Sequence, residues 1–299
     1  MSVLAFESVR KTYGTKVALH GLSFEVNPGE VFGLLGPNGA GKTTALRVLM
    51  DIVRADSGKV TLFGQRLTRD ALDRVGYLPE ERGLYAKQKV VDVMAYFGAL
   101  KGLRDIEQRA RARLWLDKVG LRDHETSSVE QLSKGMSQKV QIAATLQTEP
   151  ELCILDEPFS GLDPVNSALI RSLIAEVKAS GRTTILSTHQ MSMVETLCDR
   201  VAMLSSGRLV EYGSVSDVRH KHSLPEVRLE LDQPLPELPG VERAVSEGAT
   251  SYRLLLSEHT DAQQVLAELV KRNVGVRHFE RVLAPMEDIF IRVVTEQTS

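Results

Sequence analysis

The sequence predicts an α/β fold: an open sheet with helices on both faces, an antiparallel β subdomain in front, a helical subdomain in the middle and a small α+β domain behind. Three observations predict it. Short apolar runs, Val31-Phe32-Gly33-Leu34-Leu35 and Leu152-Cys153-Ile154-Leu155 among them, alternate with helical patterns, as strands covered on both faces do. The first run leads directly into Gly36-Pro37-Asn38-Gly39-Ala40-Gly41-Lys42-Thr43-Thr44, which satisfies G-x-x-x-x-G-K-[ST]. After His220-Lys221-His222-Ser223-Leu224-Pro225 the chain restarts with its own strands and helix.

Taken in order, Leu4 to Phe6 and Leu22 to Val26 alternate like antiparallel strands, with Lys11-Thr12-Tyr13-Gly14 between them. Asn27-Pro28-Gly29 turns the chain into the Val31–Leu35 strand. Ala45 to Met50 has helical spacing. Asp56-Ser57-Gly58 turns into a strand from Lys59 to Phe63, and Val75 to Pro79 is short and extended. From Val90 to about Ala143 the texture is helical, with an amphipathic stretch from Asp105 to Val119 ended by Gly120; Gln138 to Leu146 continues it. Leu152–Leu155 and Thr183–Ser187 are buried strands, Pro164 to Ala179 and Met193 to Cys198 helices, and Val201–Leu204 with Gly207–Val210 a hairpin. In the last part, Val227 to Leu231 and Ser251 to Leu256 alternate, Asp261 to Arg272 is helical, and Val274–Phe279 and Met286–Val294 complete a module near the lower size limit for a core that folds alone. The predicted domains are residues 1–218, with a helical subdomain at about 85–145, a linker at 219–225, and an accessory domain at 226–299.

Composition excludes several classes. At 299 residues, 42% hydrophobic and 25% charged, the chain reads as an ordinary globular protein. A formal net charge of -2 speaks against broad attraction to nucleic acid or anionic lipid. Cys153 and Cys198 match no metal or redox spacing, which suits a reducing cytosol. No secretory signal and no run of eighteen apolar residues is present, so any membrane span is expected from another chain.

The glycine-rich stretch carries the first piece of chemistry. Gly36, Gly39 and Gly41 admit backbone conformations closed to residues with a Cβ, letting the loop N–H groups and the helix N-terminus face an anion. Lys42 offers a point charge to β- and γ-phosphates, and the Thr43 hydroxyl a ligand for Mg²⁺. Strand-end Asp156 is placed to hold Mg²⁺, and Glu157 beside it to take a proton from an attacking water. Ser133 and Gly135, at the start of the helix toward Leu146, offer further donors to an anion; taken alone, Ser133 reads as an N-cap. Asp163 follows in Ser160-Gly161-Leu162-Asp163, and His189 ends the next strand.

Together these motifs resemble the ATP-binding subunits of ABC transporters over about residues 1 to 218. The resemblance implies an ATPase that binds ATP and Mg²⁺ at the interface of two such subunits, a homodimer being expected, and drives an integral membrane permease. It implies a place in the cytoplasm, peripheral on the inner face of the cell membrane. Ser133 to Met136 matches the signature segment that contacts the γ-phosphate held by the other subunit, Asp163 the D-loop aspartate, His189 the switch histidine and Tyr13 the aromatic that stacks on adenine. Two motifs depart from the family pattern. Lys134 and Met136 replace a glycine and the glutamine of L-S-G-G-Q, and Glu80 stands where a Q-loop glutamine is usual, with Arg82 nearby to offset its charge. A carboxylate there adds a candidate metal ligand. The run Pro79 to Tyr85 and the extra C-terminal module are similar to the bacterial ABC-2 and NatA-type exporters. The competing reading, a soluble ABC ATPase acting on ribosomes or nucleic acid, usually comes with two ATPase units in one chain or a long coiled-coil insertion, and neither is found here.

Overall fold

The computed structural model describes residues 2–81 and 83–296. Arg82, expected to offset the charge of Glu80, lies outside the described residues. The chain divides into two units, Met1–Val215 and Ser216–Ser299.

In the first unit, β1 (Leu4–Tyr13) and β2 (Lys16–Val26) form a hairpin. Lys11, Thr12 and Tyr13, expected between strands, belong to β1: Tyr13 pairs with Lys16, leaving only Gly14 and Thr15 in the turn. β3 (Val31–Leu35) leads through the glycine-rich loop into α1 (Lys42–Leu49). β4 (Ser57–Leu62) turns into β5 (Gln65–Arg66) through Phe63 and Gly64, both at positive φ (50° and 75°). This is the two-residue hairpin geometry in which Asn-Gly is usual. Phe63 therefore leaves the predicted strand, and the Arg74 guanidinium stacks on its ring at 3.8 Å. The short α2 (Arg69–Asp73), capped by Thr68, and β6 (Val75–Leu78) follow.

The helical subdomain consists of α3 (Val90–Leu100), α4 (Asp105–Lys118) and α5 (Lys134–Leu146), packed on one another. Then come β7 (Leu152–Asp156), α6 (Pro164–Ala179), β8 (Thr183–Thr188), α7 (Met191–Leu197), β9 (Arg200–Ser205) and β10 (Arg208–Ser214). The central sheet has the order β10-β9-β3-β8-β7-β6. All its neighbours are parallel except the edge pair β9–β10. β3, β7 and β8 are buried along their whole length, which is why Val31–Leu35 and Leu152–Leu155 read as continuous apolar runs, while β8 buries four hydroxyl side chains around Ile185 and Leu186. The antiparallel sheet β2-β1-β4-β5 packs on it through stacked rings. Phe6 lies 4.7 Å from Phe24, and Phe24 lies 5.5 Å from Phe32 of β3.

In the second unit, α8 (Val215–His222) replaces irregular chain at residues 219–222 of the expected linker. Arg219 bonds the carbonyls of Leu283 and Ala284, and Ser223 Oγ accepts from the Ala284 N–H at 2.7 Å. Such partners, more than sixty positions away, leave no local trace in sequence. Here β11 (Glu226–Leu231), β12 (Val241–Ser246), β13 (Ser251–Leu256) and β14 (Val276–Arg281) form a sheet of order β12-β13-β11-β14. Its apolar face, with Val227, Leu229, Leu231, Leu254 and Leu256, packs on α9 (Ala262–Lys271) through Val265 and Leu269. A capping box between Asp261 and Gln264 starts α9. α10 (Met286–Glu296) buries Met286, Ile289 and Val293. The opposite sheet face carries ion pairs such as Arg228–Glu247 and Arg253–Glu247.

Each unit has its own apolar core. A chain ending at Ser223 keeps every strand of the central sheet, so it should bind ATP within about threefold of the full chain, as measured by titration calorimetry. A folded truncation that fails to bind would show that residues 224–299 help build the site.

Candidate functional site

The parallel register fixes which side chains meet. β8 lies between β3 and β7, so the residues after the carboxyl ends of all three strands gather at one edge of the sheet. After β3 the loop folds back tightly. A Cβ on Gly36 would stand 2.5 Å from the Leu204 carbonyl oxygen, and one on Gly41 2.8 Å from that of Ala18. Gly41, at φ 107°, is the N-cap of α1 and aims the helix's first N–H groups into the cleft.

Lys42 is only 7% exposed. Its Nζ donates to the Gly36 carbonyl at 2.6 Å and to that of Pro37 at 3.4 Å. Burial lowers its pKa, and the fields of Glu157, Asp156 and Glu80 oppose that shift. Asp156 ends β7 and is 1% exposed, and its Oδ2 is buried without a hydrogen-bond partner. Burial first, with Glu80 and Glu157 adding, pushes its carboxyl up to about 6, against the pull of Ser187 and Lys42.

Glu157 is buried and held in the left-handed region at φ 50°. For a residue with a Cβ this is strain of the sort that collects at functional sites. Three bonds hold it against β8: its N–H donates to the Ser187 carbonyl at 2.8 Å, its Oε1 lies 2.8 Å from His189 Nδ1, and its Oε2 accepts from Thr188 Oγ1 at 3.4 Å.

These groups border a cleft of about 560 Å³. Of the residues singled out from sequence, Tyr13, Pro37 to Thr44, Glu80, Asp156 and Glu157 line it. Gly36 closes its floor as the acceptor of Lys42, and His189 joins through Glu157. Tyr13 ends β1 at the rim of the cleft and is 45% exposed, with the Lys11 ammonium 5.5 Å from the centre of its ring. The signature residues stay apart from this cleft: Ser133 N-caps α5 by accepting from the Met136 N–H, and Gly135 follows it. Asp163 likewise N-caps α6, accepting from the Asn166 N–H at 2.9 Å. Sequence reasoning missed Lys16, Val17, Ala18, His20, Ser206 and Gly207, which also line the cleft. The Gly207 N–H donates to the Ala40 carbonyl and its own carbonyl accepts from the His20 N–H, so the β9–β10 turn clamps the loop. In the sequence Gly207 shows only as a turn residue.

The donor set fits Mg²⁺. The unpartnered Oδ2 of Asp156, the Thr43 hydroxyl and Glu80 border one cleft. Among the described residues no three His, Cys, Asp or Glu side chains converge to hold an ion by themselves, so a Mg²⁺ ion at these groups would need further ligands such as phosphate oxygens or water.

The raised carboxyl of Asp156 sets a pH test. Its folded pKa, about 6, lies above the ordinary 3.8, so its contribution to stability is present at low pH and lost as pH rises through 6. At pH 8 the buried charge costs on the order of 3 kcal/mol. Without nucleotide or metal, Asp156→Asn should melt several degrees higher than the wild-type chain at pH 8 and lose about half of that advantage at pH 5. Calorimetric scans at both values check this; an equal difference at both would remove the buried charge as its cause.

Comparison with known proteins gives the same reading. Residues 19–160 match the ABC transporter family, and residues 213–294 the C-terminal domain of DrrA1-3-like ATP-binding proteins. The uncharacterized ABC transporter ATP-binding protein YhaQ of Bacillus subtilis is 36% identical over 98% of both chains. The Nod factor export ATP-binding protein I of Paraburkholderia xenovorans is also 36% identical, over 98% of this chain and 97% of its own. A solved ATP binding subunit of an ABC transporter superposes with a TM-score of 0.68 at 31% identity, covering 74% of this chain and 93% of that one. With this cleft and these relatives, the chain belongs to the family of ABC transporter ATP-binding subunits.

Proposed function

We propose that this ATPase works as a pair of identical subunits on the inner face of the membrane, powering export through a separate permease. The observation that carries the reading is the split between two groups of residues. The loop, Lys42, Asp156, Glu157 and His189 share one cleft, while Ser133, Gly135 and Asp163 sit outside it. A second copy can bring its Ser133 and Gly135 to the open side of the cleft, so that each ATP is held between two chains. Export rests on relatives named for it, a Nod factor export protein and a linearmycin resistance protein, the latter 36% identical over 72% of this chain. Among the described residues no helix is long and apolar enough to cross a membrane, and we assign the spans to the permease. CbiO1 of Clostridium perfringens, 28% identical over 73% of this chain and 90% of its own with a TM-score of 0.64, is likewise one part of an ABC transporter complex.

In this reading the triphosphate lies along the loop N–H groups, and Lys42 exchanges its carbonyl partners for phosphate oxygens. Mg²⁺, when bound at Thr43 and Asp156, neutralises phosphate charge. Glu157 takes the proton of a water whose oxygen attacks the γ-phosphorus as the bond to ADP breaks. His189 holds the Glu157 carboxylate in place. Tyr13 receives the adenine. Glu80 is a second acidic group on the metal side, where Mg²⁺ must offset its repulsion of the γ-phosphate.

Three variants test this. Glu157→Gln should keep ATP binding while losing about 10²-fold or more in hydrolysis, and an ATP-bound dimer should accumulate in size-exclusion chromatography with Mg-ATP; normal turnover would remove Glu157 from its role. Lys42→Ala should fail earlier, at nucleotide binding. Glu80→Gln should move the Mg²⁺ dependence of hydrolysis about tenfold upward in concentration, whereas an unchanged titration would reject Glu80 as a ligand.

A further inference from the structure

Glu157 is held on two sides, and the roles proposed so far use only one of them. Toward β8 it has Ser187, Thr188 and His189. On the other side the chain leaves Glu157 as a short loop, Pro158 to Asp163, and the first turns of α5 dock on that loop. Gln138, only 6% exposed, donates from Nε2 to the Pro158 carbonyl at 3.3 Å. One turn earlier, the Lys134 side chain lies across Gly161: a Cβ built there would stand 2.7 Å from both Cε and Nζ. Gly135 faces Leu162 and Asn166 at ordinary contact distance. Three successive features of α5 thus grip the segment that begins at Glu157.

From these contacts we infer that Gln138 is a positioning residue for Glu157. A left-handed conformation at a residue with a Cβ persists only where its surroundings over-determine it. The Glu157 carbonyl already accepts from the Ser160 N–H at 3.1 Å, which closes the turn on itself. The Gln138 bond to the next carbonyl fixes that turn to α5, and with it the direction in which the Glu157 carboxylate enters the cleft. Because α5 opens at Ser133, the same helix that offers its N-terminus to a second copy also orients this chain's base. The inference rests on the reading of Glu157 as the base, and it adds a residue that touches neither nucleotide nor water.

The test uses the full chain and four proteins: wild type, Gln138→Met, Glu157→Gln and the double variant. Methionine keeps the length and burial of the side chain and removes the donor. Gln138→Met should lower kcat about tenfold, with KM and ATP affinity within about twofold of wild type, since ground-state binding is untouched. In the Glu157→Gln background it should lower the residual turnover no further, because a base already removed cannot be misplaced. Gln138→Leu, of similar size and also without a donor, should repeat the kcat loss and decides the matter if the methionine variant does not fold. A wild-type kcat in a folded Gln138 variant would overturn the inference while leaving the base assignment standing. An equal fractional loss in both backgrounds would also overturn it, showing general damage. Normal hydrolysis by Glu157→Gln alone would defeat the base assignment first, and this inference with it.

Discussion

One constraint organises the molecule: three ionisable groups, Lys42, Asp156 and Glu157, are kept nearly dry at the edge where the parallel strands of one sheet end. Charges in such a place are costly unless compensated, and in the chain alone the compensation is partial. Lys42 uses backbone carbonyls as acceptors, Glu157 has His189 and Thr188, and one oxygen of Asp156 has nothing. In the proposed function, Mg²⁺ and phosphate supply the rest of that compensation when they bind. In that reading, ligand binding and the relief of buried charge are the same event.

The rest of the first unit keeps that edge rigid. The Phe6–Phe24–Phe32 stack joins the antiparallel sheet to β3 directly behind the loop. The β9–β10 turn bonds both Ala40 and His20, tying the loop to β2. α5 and β8 grip opposite sides of the Glu157 turn. The cleft is open on one side, and the capped helix starts at Ser133 and Asp163 lie outside it.

Much of this was legible in the sequence, for identifiable reasons. The glycine loop and the Asp156-Glu157 pair are contiguous in sequence, and β3 and most of β7 are apolar, as strands covered on both faces are, so these strands were evident. What could not be read depends on distant partners. Phe63 takes a turn position usually filled by Asn, with Arg74 stacked on its ring. Residues 219–222 are helical in a segment docked on Leu283 and Ala284. Val17 and Gly207 reach the cleft only because two hairpins converge on the loop. Gln138, one polar residue on an amphipathic helix, gives no sign in sequence that it holds the carbonyl after the base.

The central claim is that the cleft is half of a site and that a second copy completes it. A crystal structure of the Glu157→Gln chain grown with Mg-ATP tests this most directly. The account predicts two copies related by a twofold axis, with Ser133 and Gly135 of each within hydrogen-bonding distance of the γ-phosphate held by the Lys42 loop of the other. ATP and Mg²⁺ fully enclosed by a single chain, with Ser133 distant from every phosphate, would contradict it.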